Sequence, residues 1–334
     1  MKVNSYPIID LHCDLLHYLA TTPNASVYDG QGIGVTVPHL NAGNVKLQVL
    51  AVFTFTEKGS VTLAKKEFEC YGQLLDLPEF QSVTTKSSIQ EILTSDKIGI
   101  IPAIESASGL CEEDEPLDNA FKRFDEILTK YKHVFYIGFT HHTENRFGGG
   151  NYSDNVGLKD DGKVLLDYLD GKKVAVDLSH TSDNLAMGIM DYVEAKSLDV
   201  PIIASHSNFR ILCGHIRNLP DEYVQRLVRY NGLIGMNFLR AYIHDTNPSH
   251  FIEHFLHGLD ETIAPHQMAF GADFFYRAGL EEIHPERIPL FFDEHLDASK
   301  YPNILNDLRA KGIGEDVLQK LCYQNVLDFV NRVW

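Results

Sequence analysis

The apolar opening Y-P-I-I runs straight into Asp10, His12 and Asp14, separated only by Leu11 and Cys13. Carboxylates and imidazoles are the N and O donors that suit zinc and other late first-row cations. Residues two apart on a strand share a face, so this spacing is expected to gather three metal-capable groups on one side. Burying them without partners would cost several kcal/mol, so a cation or a hydrogen-bond network is expected there. Similar residues close five further apolar runs. Glu105 ends I-G-I-I-P-A-I-E, His141 and His142 end V-F-Y-I-G-F-T-H-H, and His180 ends V-A-V-D-L-S-H. His206 ends P-I-I-A-S-H and Asp273 ends M-A-F-G-A-D.

These residues suffice for two ions: His12 and Asp14 for one, His180 and His206 for the other, with Glu105 offering an oxygen to each. Two cations ~3.5–4 Å apart acidify a shared water. Asp273 beside them is expected to be ionised and to pass a proton from that water to a leaving amine; a further ligand or a helix cap are the other readings. Asp10 and Asp177 are expected to support ligands by hydrogen bonds. Cys13 should point into the packing behind the first strand.

The elements that must position these groups recur as short apolar runs alternating with amphipathic stretches. Candidate strands are Pro7–His12, Lys46–Phe55, Ile98–Glu105, Val134–His141, Lys173–His180, Pro201–His206, Gly232–Phe238 and Gln267–Asp273. Helical stretches include Val61–Leu75, Leu117–Lys130, Ser182–Ala195, Pro220–Tyr230 and Pro248–Ile263. The alternation reads as an α/β chain forming one (β/α)₈ TIM barrel domain over residues 1–334, whose chemistry gathers at the C-terminal ends of its strands. Ile304–Lys311 and Gly314–Val333 form a C-terminal helical extension. Phe147-Gly148-Gly149-Gly150 is expected to be a flexible loop near the site, Glu112–Glu115 a solvated loop, and His244, His250, His254 and His257 solvent-facing.

The composition, 44% hydrophobic and 22% charged over 334 residues, is that of a folded globular chain. A net charge of −17 disfavours nucleic acid and anionic membranes as partners. No apolar run approaches the ~18 residues of a membrane helix, and the polar start lacks a signal-peptide pattern. Five scattered cysteines without C-x-x-C suit reduced thiols. A cytoplasmic location is expected.

The chain resembles the membrane (renal) dipeptidase family, zinc dipeptidases of the amidohydrolase superfamily. The likeness rests on I-D-L-H-C-D, V-P-H-L-N-A-G-N-V-K-L-Q, A-I-E, F-T-H-H-T-E-N, V-D-L-S-H, S-H-S-N-F-R, H-I-R-N-L-P-D-E, G-A-D-F and Y-Q-N-V-L-D-F. It implies two zinc ions, held by His12 and Asp14 on one side and His180 and His206 on the other, with Glu105 bridging. It further implies that His141 binds substrate and stabilises the oxyanion, that Arg217 holds the C-terminal carboxylate, and that Asp273 shuttles the proton. The implied function is hydrolysis of dipeptides, L-Xaa-D-Xaa included, by a metal-bridging hydroxide in a homodimer. Cys13 stands where the family commonly has asparagine, Ser106 where it has glycine, and F-F-Y-R follows Asp273 in place of an aspartate-glycine pair; these departures bear on substrate preference. Two alternatives remain at this stage: a binuclear-metal hydrolase of N-acyl amino acids, cyclic amides or lactams, and a catalytically silent metal-containing barrel that binds peptides.

Overall fold

A computed structural model describes residues 6–29, 32–153, 155–278 and 288–334. Nine strands are present among them: β1 Ile8–Asp10, β2 Val45–Phe53, β3 Phe80–Ser82, β4 Ile98–Glu105, β5 Tyr136–Gly138, β6 Ala175–Asp177, β7 Ile202–Ile203, β8 Ile234–Met236 and β9 Met268–Phe270. All pairings are parallel, in the order β7-β6-β5-β4-β2-β1-β9-β8. A bridge between Ala204 and Ile234 joins the two ends. The result is the expected (β/α)₈ TIM barrel. The additional strand, β3, pairs with the start of β4 (Phe80 with Ile98), ahead of the point where β5 takes over at Ile104; its sequence carries too short a run to announce it.

The strands are shorter than expected. Lys173–His180 pairs only over Ala175–Asp177, and Val134–His141 only over Tyr136–Gly138. Glu105 therefore stands on a strand, while His12, Asp14, His141, His180, His206 and Asp273 ride on the segments just beyond one. His180 and Asp273 take left-handed backbone (φ 68° and 62°), and Ser106 lies at φ 128°. Such positions cost about 1–3 kcal/mol each and cluster at functional sites.

Ile9, Leu47, Val49, Ile101, Ala103, Ala175, Ile203 and Ala269 fill the barrel interior. Its N-terminal mouth is plugged by the final helix, Asn325–Val333, whose Val326, Phe329 and Val330 join that cluster. Asn325 anchors the helix by donating to the carbonyls of Pro265 (3.0 Å) and Met268 (2.9 Å). The C-terminal helices thus close one end and leave the opposite end for chemistry.

Three surface expectations change. His254 is fully buried and accepts a hydrogen bond from the Phe209 backbone N–H at 3.3 Å, because the inner face of helix His250–Gly258 packs on the barrel. Glu112 and Glu115 are half-buried and engaged: Glu112 accepts from the Gly59 N–H (2.8 Å) and Glu115 pairs with Arg123 (2.7 Å). The Phe147–Gly150 run is packed rather than loose. Phe147 is fully buried, and Gly149 O accepts from Ser182 N at 2.8 Å. A Cβ at Gly150 would lie 2.4 Å from both His141 O and His142 C, so glycine there lets the loop press on the histidine pair.

Candidate metal centre

Glu105 is the hub of the open end. Inward residues of β4 alternate Ile101, Ala103, Glu105, so the strand carries its carboxylate into the mouth directly above the packed interior. Oε2 lies 3.4 Å from His12 Nε2, while Oε1 lies 2.9 Å from His180 Nε2, 3.5 Å from His206 Nε2 and 3.9 Å from His141 Nε2. The two oxygens of one carboxylate thus face different histidines. His12 Nε2 also lies 3.9 Å from Asp14 Oδ1 and 3.6 Å from Asp273 Oδ1. The His12 and His206 rings stack with centroids 3.7 Å apart. Ligand-capable atoms fall within 4.8 Å of one another in the sets His12–Asp14–Glu105, Glu105–His180–His206, His12–His206–Asp273 and His141–His142–His180.

The electrostatics fit cations. Burial alone would lower the His12 imidazole, but the Glu105, Asp14 and Asp273 carboxylates hold it up at about 10. Burial and the neighbouring Glu105 push Asp14 well up. Burial raises Asp273 to about 6, against the pull of His12. Burial keeps His180, His206 and His141 neutral, with their lone pairs available. Among the described residues, His12 Nε2, Asp14 Oδ1, Glu105 Oε2 and His206 Nε2 are buried without hydrogen-bond partners. Inward-facing orphaned donors of N and O type, in a cluster rich in carboxylates, suit a divalent metal.

A profile of the membrane dipeptidase family, peptidase family M19, matches residues 3–334. The chain belongs to that family. Metallopeptidase membership implies hydrolase chemistry and a metal cofactor. A dipeptidase of Claviceps purpurea strain 20.1, tcpJ, is 26% identical over 208 residues, 60% of this chain and 45% of its own length. An uncharacterised Klebsiella pneumoniae protein encoded in the pqqA 5′ region is 28% identical over 204 residues, 57% of this chain and 69% of its own. The fold matches the crystal structure of a Rhodobacter sphaeroides metallopeptidase liganded with a phosphinate mimic of L-Ala-D-Ala, with a TM-score of 0.82 at 18% identity over 99% of this chain and all of that one. It also matches the probable dipeptidase PvdM of Pseudomonas aeruginosa, with a TM-score of 0.77 at 17% identity over 98% and 95% of the two chains. Among the described residues no helix is long and apolar enough to cross a membrane.

For this dipeptidase-family chain, the structure brings His12, Asp14, Glu105, His141, His180, His206 and Asp273 together. Arg217 joins them. It is 4% exposed, its Nη2 donates to His206 O at 3.4 Å, its guanidinium lies 5.3 Å from the Tyr242 ring centre, and among the described residues its Nε is buried without a partner. Among the described residues no carboxylate lies within 4.0 Å of it, whereas Arg123, Arg146, Arg210 and Arg226 are all paired. Asp10 does not share the ligand face. Regular pairing stops at Asp10, so the two-residue period does not carry on to His12. Its carboxylate accepts from His12 N (2.9 Å), Gln48 Nε2 (2.9 Å), Ala272 N (3.1 Å) and the Tyr301 hydroxyl. Cys13 is fully buried in the core, as expected.

His142 packs beside the cluster, 3.9 Å from His141 and stacked on Tyr152 at 4.7 Å, with Nδ1 3.0 Å from Asn151 Oδ1. Asn145 is occupied by the loop. Its Nδ2 donates to Phe139 O (2.7 Å), and its Oδ1 accepts from Phe147 N (2.9 Å). Sequence reasoning missed Asn237, which follows β8 and donates from Nδ2 to Asp273 Oδ2 at 2.8 Å. It also missed Tyr136, whose hydroxyl lies 2.6 Å from His12 Nδ1. The only signal either gave is a polar group at the end, or in the interior, of an apolar run.

Proposed function

We propose that this chain is a zinc-dependent dipeptidase acting on short peptides with a free C-terminal carboxylate, L-Xaa-D-Xaa dipeptides included. The observation that carries the reading is the division of the Glu105 carboxylate, with Oε2 toward His12 and Oε1 toward His180 and His206. His12 and Asp14 would hold one zinc, His180 and His206 the other, and Glu105 both. When bound, such a pair acidifies a water and polarises the scissile carbonyl.

The remaining roles belong to the chain's own side chains. His141, kept neutral by burial, offers an N–H to the oxygen that gains charge, a contribution often worth a few kcal/mol. Arg217 presents unused donors to the substrate carboxylate, whose two oxygens match a planar guanidinium. Asp273, held by Asn237 through Oδ2, keeps Oδ1 toward the centre, where it takes a proton and passes it to the departing amine. The dipeptide mimic bound by the Rhodobacter sphaeroides relative supports the substrate class. A homodimer is part of the same reading.

The test is the initial rate on L-Ala-D-Ala and L-Ala-L-Ala with zinc-reconstituted protein beside a chelator-stripped control. Metal-dependent cleavage is expected, and the ratio of rates gives the stereochemical preference. Loaded protein that cleaves neither refutes the reading.

A further inference from the structure

The nitrogen with which an imidazole can bind a metal is decided by what the other nitrogen bonds to. For His206 that partner leads back to a buried carboxylate, Asp177, at the end of β6. Asp177 Oδ1 accepts from the backbone N–H groups of Ser179 (3.1 Å) and Ser205 (2.7 Å), and Oδ2 accepts from the Ser205 hydroxyl (2.5 Å). Burial raises Asp177, and these hydrogen bonds, two of them from backbone N–H groups that can only donate, work against that rise and favour the carboxylate.

A serine hydroxyl has one proton and two lone pairs. With its proton committed to Asp177, Ser205 can only accept from its other neighbours. His206 Nδ1 lies 2.7 Å from Ser205 Oγ. The donor count therefore puts the His206 proton on Nδ1 and leaves the lone pair on Nε2, the orphaned atom that faces Glu105 at 3.5 Å.

We propose that Asp177 is a positioning residue that, through Ser205, sets the tautomer of His206 and so prepares its Nε2 for a metal. This rests on the metal-centre reading above. The carboxylate acts on that ring without touching it.

Asp177→Asn tests the polarity of the chain without changing its shape. The amide must give its oxygen to the two backbone N–H groups and its NH₂ to Ser205. The Ser205 hydroxyl is thereby turned outward, to donate to His206 Nδ1. A ring whose Nδ1 accepts carries its proton on Nε2 and is lost as a ligand. Two readouts are used, both on protein whose fold is checked by circular dichroism. One is the tautomer of His206 in ¹⁵N-histidine-labelled, metal-free protein, from two-bond ¹H–¹⁵N correlations. The other is stepwise zinc affinity by calorimetry.

The unaltered protein is expected to show the Nδ1–H form of His206 and two zinc steps. Asp177→Asn should weaken at least one step by about 10–100-fold, the range for lost outer partners of ligands. Ser205→Ala, which removes the relay and leaves Asp177 in place, should weaken one step and lose the uniform Nδ1–H signal of His206. An Nε2–H form of His206 in the unaltered protein, or Asp177→Asn with both affinities unchanged, overturns the proposal. Should Asp177→Asn not fold, Ser205→Ala decides: a weakened step with loss of the Nδ1–H signal supports the proposal, and two unchanged steps overturn it. Failure of the unaltered protein to bind zinc refutes the metal-centre reading instead, and the His206 signal still tests the tautomer.

Discussion

Replacing Arg217 with methionine should move activity and stability in opposite directions. The guanidinium is 4% exposed, lacks a carboxylate within 4.0 Å among the described residues, and bonds only neutral oxygens there, the His206 carbonyl at 3.4 Å and the Tyr242 hydroxyl. Nε and the remaining Nη donors are therefore available to an arriving carboxylate. Two charge-assisted hydrogen bonds at about 1.5–3 kcal/mol each give about 4 kcal/mol, within the range for truncating one partner of a buried charge pair. At 1.36 kcal/mol per tenfold, kcat/KM should fall by roughly 10³-fold. The loss should be confined to free acids: a dipeptide amide, which offers no anion, should lose less than about tenfold. Methionine fills most of the volume above Tyr242, and it removes a cation from a centre that gains positive charge when metal binds. The metal-loaded variant should therefore be as stable as the parent, or more stable by about 1 kcal/mol. The assay is initial rates on L-Ala-D-Ala and its C-terminal amide, with thermal melting of both loaded proteins. Equal losses on acid and amide, or a melting point several degrees lower, would refute the anchor role.

Chelation should destabilise the protein: two sites each filled at a hundred times Kd add about 5 kcal/mol, or about 7 °C at a specific unfolding entropy of ~2.1 cal/mol/K per residue, and a drop half that size by calorimetry would indicate one ion. Ser106→Gly should stabilise by about 1 kcal/mol, since relief of about 1–3 kcal/mol of strain at φ 128° outweighs glycine's extra unfolded-state freedom and a 3.3 Å bond to Ser108 N; a loss of stability in denaturant melts would contradict the strain. Gly150→Ala should cost about 1–3 kcal/mol and, by displacing His141, lower kcat/KM at least about tenfold; unchanged kinetics would show that the loop does not press on that residue. Burial lowers His133, His254 and His295 to about 4 each. Their folded-state pKa values lie below the unfolded 6.5, so the stability that depends on their neutral forms is complete above pH 6.5 and is lost as pH falls through about 4. Melting points of the protein should decline across that window, and a flat profile between pH 6.5 and 4.5 would count against it.

The barrel was legible because its signals are local. Apolar runs such as I-G-I-I-P-A-I-E and amphipathic stretches such as Val61–Leu75, observed as Ser60–Leu75, follow from the periods of strand and helix. Placing Glu105, His180, His206 and Asp273 at strand ends required only the rule that such ends converge on one face. His254 and the Phe147–Gly150 loop were misread because burial depends on what packs against an element, and a single sequence does not show that.

Residue type and order by themselves determined the donor chemistry, the strand ends that carry it and their gathering at one mouth. Only the tertiary structure decided which atom faces which. Barrel closure brings Tyr136 to His12 across 124 residues and Tyr301 to Asp10 across 291. It turns Asp10 toward Gln48, Ala272 and Tyr301, splits the Glu105 oxygens between two sides and, among the described residues, leaves Arg217 buried with no carboxylate within 4.0 Å. The physical reason is range. Backbone geometry sets the direction of a side chain within a run of regular pairing, and that run ends just before most of the site begins. Beyond it, hydrogen-bond partners come from strands distant in sequence, and their donors and acceptors must be matched in space.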